Sequence, residues 1–216
     1  MARSVRMVTE LAAGGRESVG VPTATSTGRA SRGVEWHGTW SPRRENDAVR
    51  VAELPPVQRL LLTTDGTMTT ALATLLDEPI GVRMLHQDTA VLAEDDDELA
   101  LWAGDTVLER RVLLHGADSG TPLLFGVSRI VASRLPAAAR AALAGGDVAI
   151  GIVLRAHEVE TFRLPVSIGV KLAGDEAARH LGGALMCWRR YLIKAGGRPL
   201  MSIDEQFPAA GFAVRR

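Results

Sequence analysis

The sequence predicts an α+β fold in which helices are inserted between the strands of an antiparallel sheet. Two pairs of strand-like segments are each joined by a short turn sequence, which is the pattern of a β-hairpin. Short amphipathic helical segments lie between these pairs instead of alternating with single strands, and this arrangement favours α+β over α/β. The chain of 216 residues is long enough for one domain with its own core, and it shows no internal repeat.

The first elements of the domain follow from their start signals. Prolines open a helix over residues 55–62, where the missing N–H groups cost little. Thr67 is a suitable N-cap for a helix that runs to Leu76. Pro79 precedes a strand over residues 80–92, and the acidic run 94–98 after it is typical of a solvated loop.

The remaining elements complete the two hairpins and the helices around them. In chain order they are a strand at 106–115, a turn at 117–121, a strand at 123–131, a helix at 135–144, a strand at 159–172 interrupted at Pro165, a helix at 174–181, and strands at 185–193 and 199–207 joined by a turn at 194–198.

Residues 1–50 differ in composition from the rest of the chain. They are rich in Gly, Ser, Thr and Arg and lack periodicity, which predicts an extended or disordered N-terminal segment before a domain at 51–216. Trp36 and Trp40 either pin the end of this segment to the domain or flank a ligand or partner site. No secretory signal or membrane-spanning apolar run is visible, so we expect a cytoplasmic protein that does not bind membranes.

Composition and missing motifs exclude several classes of function. The 25 basic and 25 acidic residues balance, which argues against a dedicated nucleic-acid binder. The five histidines lack metal-ligand spacing, and glycine motifs that hold nucleotides are absent, so no metal or nucleotide cofactor is expected. Cys187, the single cysteine, lies beside Trp188 in a strand and is interpreted as a buried thiol rather than a nucleophile.

Two charged residues fall on apolar strand faces. Alternation places Arg110 with three aliphatic residues, and it places Glu205 with Met201, Ile203 and Phe207. A buried charge needs a partner. The two residues therefore either form a salt bridge, with a register error as a further alternative, or line an internal pocket. In that pocket Arg110 would bind an anion, and Glu205, with a pKa raised by apolar surroundings, would transfer a proton.

Four sequence blocks occur in order between about residues 60 and 212. They are LLTTDGTMT at 61–69, LERRVLL at 108–114, HEVETF at 157–162 preceded by Ile150-Gly151, and RRY, GGRPLM and DEQF within 189–207. Together they resemble the chorismate pyruvate-lyase family, and the last block is most similar to mycobacterial-type members that make 4-hydroxybenzoate. Each block alone is weak, but their order and spacing are fairly specific.

The resemblance implies a fold, a reaction and a site. It implies a chorismate lyase-like single catalytic domain that converts chorismate to 4-hydroxybenzoate and pyruvate without a cofactor, as a cytoplasmic monomer in aromatic or secondary metabolism. It places the carboxylate-binding arginine of the family on Arg110 and the family's glutamate on Glu205. It places the backbone contacts to substrate on Met68 and Ile150.

Alternatives remain at this stage. A slip of one residue would exchange Arg110 for Arg111, or Glu205 for Asp204. Arg189 or Arg190 is either a second anion contact or a surface or inter-strand arginine. The function alternatives are a non-catalytic effector-binding domain of the same fold and a paralogue that acts on another chorismate-like acid.

Overall fold

One antiparallel sheet of six strands organises the computed structural model, which describes residues 51–212. The strands are β1 (Ile80–Val91), β2 (Thr106–Gly116), β3 (Pro122–Ile130), β4 (Phe162–Leu172), β5 (Leu185–Ala195) and β6 (Arg198–Pro208). Their order across the sheet is β1-β2-β3-β6-β5-β4, so two three-stranded meanders join through β3 and β6. The predicted antiparallel sheet is confirmed.

Five α-helices lie before and between the strands. They are α1 (Pro56–Thr63), α2 (Met68–Leu76), α3 (Ala137–Ala144), α4 (Ile150–Ala156) and α5 (Asp175–Leu181), with short 3-10 turns at Val51–Glu53 and Ala132–Arg134. Helices α1 to α4 pack on one face of the sheet. Helix α5 lies on the other face, where the His180 ring stacks on Phe125. The helices are thus inserted around the hairpins, as the α+β prediction requires.

Helix α4 is an element that the sequence pattern did not predict. Its residues, IGIVLRA, include three β-branched side chains and a glycine, which are weak helix formers. After it, Glu158 has φ of +52° and turns the chain back. Strand β4 therefore begins at Phe162 and not at Val159, where alternation predicted its start.

Local chemistry explains the turn and the irregularity that the sequence did predict. Gly196 and Gly197, between β5 and β6, have φ of +55° and +76°, as a two-residue type I′ hairpin requires. Pro165 lies in β4, and the pairing with β5 shifts register between Pro165 and Ser167. Strand β4 is at the sheet edge, where a residue without an N–H is tolerated.

Two hydrophobic clusters share the sheet face that carries helices α1 to α4. The first packs α1 and α2 on the sheet and includes Leu61, Leu62, Met68, Leu72, Leu114, Leu124 and Phe207. The second packs α3 and α4 on the same face and includes Ala139, Leu143, Val153, Leu154, Ile193 and Ile203. The candidate site lies between them.

The sequence also led to expectations about membrane-spanning helices and about the N-terminal segment. Within residues 51–212, no helix is both long enough and apolar enough to cross a bilayer. The N-terminal segment expected at 1–50, with Trp36 and Trp40, lies outside the described residues, as do residues 213–216. The proposed boundary at residue 50 remains a prediction.

Candidate active site

A cavity separates the two hydrophobic clusters and has about 620 Å³ of free space, including its open mouth. Strands β2, β3, β5 and β6 form its floor, and the first residues of α2 and α4 cover it. The structure places all four residues predicted for the site, Met68, Arg110, Ile150 and Glu205, on the wall of this one cavity.

The sheet register explains how residues far apart in sequence meet there. One row across four strands joins Val112, Gly126, Glu205 and Arg189. The adjacent row joins Arg110, Ser128, Ile203 and Tyr191. The two rows are two residues apart along each strand. Because side chains alternate between the faces of a strand, those of both rows point to the same side of the sheet.

Arg110 is a buried cation with a fixed orientation. The residue is 1% exposed, and its Nη2 donates to the carbonyl oxygens of Gly146 at 3.0 Å and Val148 at 3.2 Å. Its Nε is buried and has no hydrogen-bond partner among the described residues. Burial lowers the pKa of this guanidinium, against a smaller opposing effect of Asp147. An arginine nevertheless stays charged, so Arg110 offers the cavity a positive charge that no carboxylate within residues 51–212 pairs with.

Glu205 is buried and is held by two donors from β5. Arg189 Nε donates to Oε2 at 2.6 Å, and the Tyr191 hydroxyl donates to Oε1 at 3.1 Å. Arg189 in turn donates to the carbonyl oxygens of Leu61 at 2.9 Å and Thr64 at 2.8 Å. The ion pair of Glu205 is therefore with Arg189. The alternative of an Arg110–Glu205 salt bridge was wrong, because Arg189 lies directly opposite Glu205 in the β5–β6 register.

The pKa shifts of Arg189 and Tyr191 keep both residues protonated, so both can donate hydrogen bonds to Glu205. Burial lowers the pKa of Arg189, but the neighbouring Glu205 and Tyr191 outweigh burial and raise it overall. Burial, followed by the charge of Glu205, raises the pKa of Tyr191, although Arg189 and Arg163 act in the opposite direction. Arg189 stays a cation and Tyr191 stays a neutral hydroxyl. Glu205 thus accepts a hydrogen bond on each oxygen.

The neighbouring charged residues, which the sequence left open as alternatives for the site, lie outside the cavity. Arg111 is partly exposed and pairs with Glu176 at 3.6 Å. Arg190 pairs with Glu98 at 2.8 Å and lies 3.8 Å from Asp204. None of Arg111, Arg190 and Asp204 lines the cavity, so a slip of one residue does not describe this site.

Met68 and Ile150 are the first residues of α2 and α4. The N-cap residue of α2, Thr67, makes no side-chain hydrogen bond to the backbone, and its Oγ1 lies 2.7 Å from Thr70 Oγ1 instead. The first N–H groups of α2 therefore have neither an intrahelical acceptor nor a side-chain cap. The two helix starts approach closely, because a Cβ placed on Gly151 would lie 2.5 Å from Thr67 Cγ2.

Ser128, Arg163 and Tyr191 are among the polar residues of the cavity wall that the sequence pattern did not assign to the site. Tyr191 shares a strand face with Arg189 and Ile193, so alternation along β5 could have found it. Arg163 lies two residues before Pro165, where the bulge breaks alternation and hides the face of the residue. Arg163 is half-buried, and its Nε is buried without a partner among the described residues.

Other chemistry has no comparable support in the described part of the chain. Within residues 51–212, no group of three His, Cys, Asp or Glu side chains is arranged to hold a metal ion. Cys187 is fully buried, and burial raises the pKa of its thiol to about 12. The thiol is therefore protonated and inaccessible, as the interpretation of a buried thiol predicted.

Solved structures share this fold at low sequence identity. PhnF from Mycobacterium smegmatis aligns with a TM-score of 0.55 at 14% identity, over 71% of this chain and 68% of that one. The effector domain of PhnF gives 0.54 at 15% identity, over 69% of this chain and 93% of that domain. Identities this low show the fold alone, and they agree with the α+β architecture.

Sequence relatives carry more information. A chorismate pyruvate-lyase of Mycobacterium leprae (strain TN) is 29% identical over 164 residues, which cover 69% of this chain and 72% of the relative. A chorismate pyruvate-lyase of Mycobacterium tuberculosis (strain ATCC 25618 / H37Rv) is 28% identical over 159 residues, 69% of this chain and 78% of the relative. Residues 62–214, well over half of the chain, match the chorismate pyruvate-lyase Rv2949c-like family. This confirms the resemblance found in the sequence blocks, and the chain belongs to the chorismate pyruvate-lyase Rv2949c-like family.

Proposed function

We propose that this protein is a chorismate pyruvate-lyase that converts chorismate to 4-hydroxybenzoate and pyruvate, using neither metal nor organic cofactor. The observation that carries the proposal is the cavity itself. It brings together a buried arginine, which no carboxylate of the described residues pairs with, and a glutamate fixed by two donors. Membership of the family supports the reaction class.

Arg110 is proposed to bind the ring carboxylate of chorismate. Two carbonyl oxygens hold one of its terminal nitrogens, so the guanidinium plane is fixed before the ligand arrives. A planar guanidinium suits a carboxylate, and preorganisation reduces the entropy lost on binding. The neighbouring wall is aliphatic (Val82, Val112, Leu114 and Leu124), which keeps the charge poorly screened.

Glu205 is proposed to handle the proton of the elimination. In chorismate the C3–O bond breaks and C4 loses its hydrogen, so that the C4–H electron pair enters the ring and makes it aromatic. The ether electron pair leaves with enolpyruvate, which gains one proton on its methylene carbon to become pyruvate. Glu205 accepts a hydrogen bond from the C4 hydroxyl, takes up the C4 proton and returns a proton to the leaving group.

Positioning supplies the rest of the proposed catalysis. Aromatisation makes the reaction strongly downhill, so the protein mainly has to hold the dianion in an eliminating geometry. Arg189 and Tyr191 fix both oxygens of Glu205, and the backbone at Met68 and Ile150 covers the ring from the opposite side. The sequence predicted that Glu205 lies in apolar surroundings. In the structure two hydrogen-bond donors set the orientation of its carboxylate.

A direct assay tests the proposal. Purified full-length protein is mixed with chorismate, and 4-hydroxybenzoate is followed by absorbance while pyruvate is followed with lactate dehydrogenase. We expect equal amounts of both products. Pyruvate without 4-hydroxybenzoate would show a paralogue with another aromatic product, and ligand binding without either product would show an effector-binding domain. Both results contradict the proposal.

Two variants with neighbouring controls test the residue roles. Arg110→Gln should raise KM and abolish 4-hydroxybenzoate binding, because it removes the cation. Glu205→Gln should lower kcat by about 10²-fold or more, the usual contribution of a general acid–base group. Arg111→Gln and Asp204→Asn, one residue away and outside the cavity, should keep wild-type kcat/KM. Full activity in both cavity variants would contradict the assignment.

A further inference from the structure

The proposed substrate carries two carboxylates, and the cavity wall contains two cations. Among the described residues that line the cavity, the cations are Arg110 and Arg163. Arg110 is assigned to the ring carboxylate, so the enolpyruvyl carboxylate needs another partner. A dianion bound with one unpaired carboxylate in a largely apolar cavity would carry a large desolvation cost.

The other two arginines near the cavity are already occupied. Arg189 donates to Glu205 and to two backbone carbonyl oxygens, and Arg190 pairs with Glu98 near Asp204. Both were sequence candidates for a second anion contact. Each is an inter-strand or surface arginine instead, and neither lines the cavity.

Arg163 differs from these two because it lines the cavity. It lies near the start of β4, is half-buried and lines the cavity, and its buried Nε has no hydrogen-bond partner within residues 51–212. Its Nη2 lies 3.8 Å from the place where a Cβ on Gly151 would be, so the guanidinium reaches the start of α4. Its charge also acts on Tyr191, the donor to Glu205. A buried guanidinium nitrogen without a partner is a site that a carboxylate can satisfy.

The sheet order places the two cations on strands that lie on either side of β6, which carries Glu205. Arg110 is on β2 and Arg163 on β4, four strand intervals apart, or about 19 Å between backbones at roughly 4.8 Å per interval. Glu205, on β6, lies between them in this order. In chorismate the ring carbon whose ether bond breaks, C3, likewise lies between the ring carboxylate and the enolpyruvyl carboxylate.

We propose that Arg163 binds the enolpyruvyl carboxylate of the substrate and so makes the cavity select the dicarboxylate substrate over its monocarboxylate aromatic product. This inference rests on the proposed function. It follows that 4-hydroxybenzoate, once pyruvate has left, keeps its contact with Arg110 and has none with Arg163. The two arginines therefore have separable effects on substrate and product.

The test compares two ligands across four variants of the full-length protein. Chorismate kinetics give kcat and KM, and calorimetric titration gives the Kd of 4-hydroxybenzoate. Arg163→Gln should raise the KM for chorismate by about 10- to 100-fold, the loss expected for charge-assisted hydrogen bonds, and should change the Kd of 4-hydroxybenzoate less than about twofold. Arg110→Gln should weaken both ligands. Arg155→Gln, on an exposed residue of α4, should change neither.

The outcomes separate this inference from the proposed function. Arg163→Gln with a wild-type KM, or with equal losses for both ligands, overturns the role of Arg163 while the proposed function stands. A wild-type protein that does not turn over chorismate overturns the proposed function and this inference together. Arg163→Lys keeps the charge without the planar fork and guards against misfolding, because an intermediate KM with unchanged product binding is expected for it.

Discussion

Arg189 and Glu205 face each other across β5 and β6, and their side chains are only 4% and 10% exposed. Removing two charges from water is costly, and the attraction between them repays that cost only when the remaining donors and acceptors are also satisfied. Here the carbonyl oxygens of Leu61 and Thr64 and the hydroxyl of Tyr191 complete the network. The pair therefore connects the end of α1 to the sheet and fixes Glu205.

Breaking this pair from one side should destabilise the fold strongly. Arg189→Met leaves the Glu205 carboxylate and two carbonyl oxygens without their donor, so we expect the free energy of unfolding to fall by about 3–5 kcal/mol. Arg190→Met is the matched control, because its side chain is 37% exposed and its ion pairs are screened, and it should cost about 1 kcal/mol or less. Urea denaturation measures both. Equal losses of unfolding free energy in the two variants would show that the buried Arg189–Glu205 pair stabilises the fold no more than the exposed pairs of Arg190.

Asp204 should contribute a pH-dependent component to stability. Burial raises the pKa of Asp204 above its ordinary value of 3.8, although Arg190 and Lys171 act against the shift. The folded state therefore holds this proton more tightly than the unfolded chain. The resulting stability is fully present below about pH 4 and is lost as the pH rises through the folded-state pKa.

Replacing Asp204 removes that component. Asp204→Asn should therefore gain stability relative to wild type as the pH is raised from about 4 to 7, and the difference should level off once the wild-type carboxyl is ionised. Urea denaturation of both proteins across this pH range gives the difference curve. A difference that does not change with pH, or that changes in the opposite direction, would contradict the raised pKa.

At the scale of single residues, what the sequence could predict depended on unbroken alternation. Arg110 and Glu205 lie in regular parts of β2 and β6, so period-two counting assigned them to the apolar face that the structure shows. Their partners could not be found in this way, because the pairing of β5 with β6 decides that Arg189 faces Glu205. Arg163 was missed because the bulge at Pro165 shifts the period within β4.

At the scale of elements, the starts of α2 and α4 lie close together over the cavity. Glycine at position 151 allows this approach, since a Cβ there would be 2.5 Å from Thr67 Cγ2. Thr67 cannot rotate away freely, because its Oγ1 is 2.7 Å from Thr70 Oγ1 and a rotation would break that hydrogen bond. The distance between these two helix starts thus sets the position of Met68 and Ile150 over the cavity.

A double-mutant cycle tests this arrangement. Gly151→Ala should push the two helix starts apart and lower kcat/KM by about 10-fold or more, because small displacements of positioning groups are costly to catalysis. Thr67→Ser removes the clashing methyl group but keeps the hydroxyl, so it should be near wild type alone and should restore most of the activity of Gly151→Ala. Chorismate kinetics on the four proteins measure the coupling. Additive effects would show that the two residues do not interact.

Elements were predictable where local chemistry determines them. The two hairpins were found because turn residues such as Gly196-Gly197 have a conformational preference of their own. Helix α4 was not found, because its β-branched sequence disfavours a helix and packing of Val153 and Leu154 into the second cluster stabilises it instead. Tertiary contacts thus formed the element that carries Ile150, which only the family resemblance had placed in the site.

At the scale of the whole molecule, the cavity divides the apolar face of the sheet. Helices α1 and α2 belong to one cluster, and α3 and α4 belong to the other. Met68, from the first cluster, and Ile150, which packs against the second, both line the cavity. A ligand in this position would contact both clusters at once and link the local stabilities of α2 and α4.

Amide hydrogen exchange with and without 4-hydroxybenzoate tests this link. Short helices exchange mainly by local opening, so a ligand that covers the starts of both helices should slow exchange in α2 and α4 together. Helix α5 packs on the opposite face and is the internal control, so its exchange should change little. At a ligand concentration of 100 times Kd, protection can rise by up to about 2.7 kcal/mol. Slowing in only one of the two helices would show that the ligand does not bridge the clusters, and Arg110→Gln should abolish the effect in both because the ligand no longer binds.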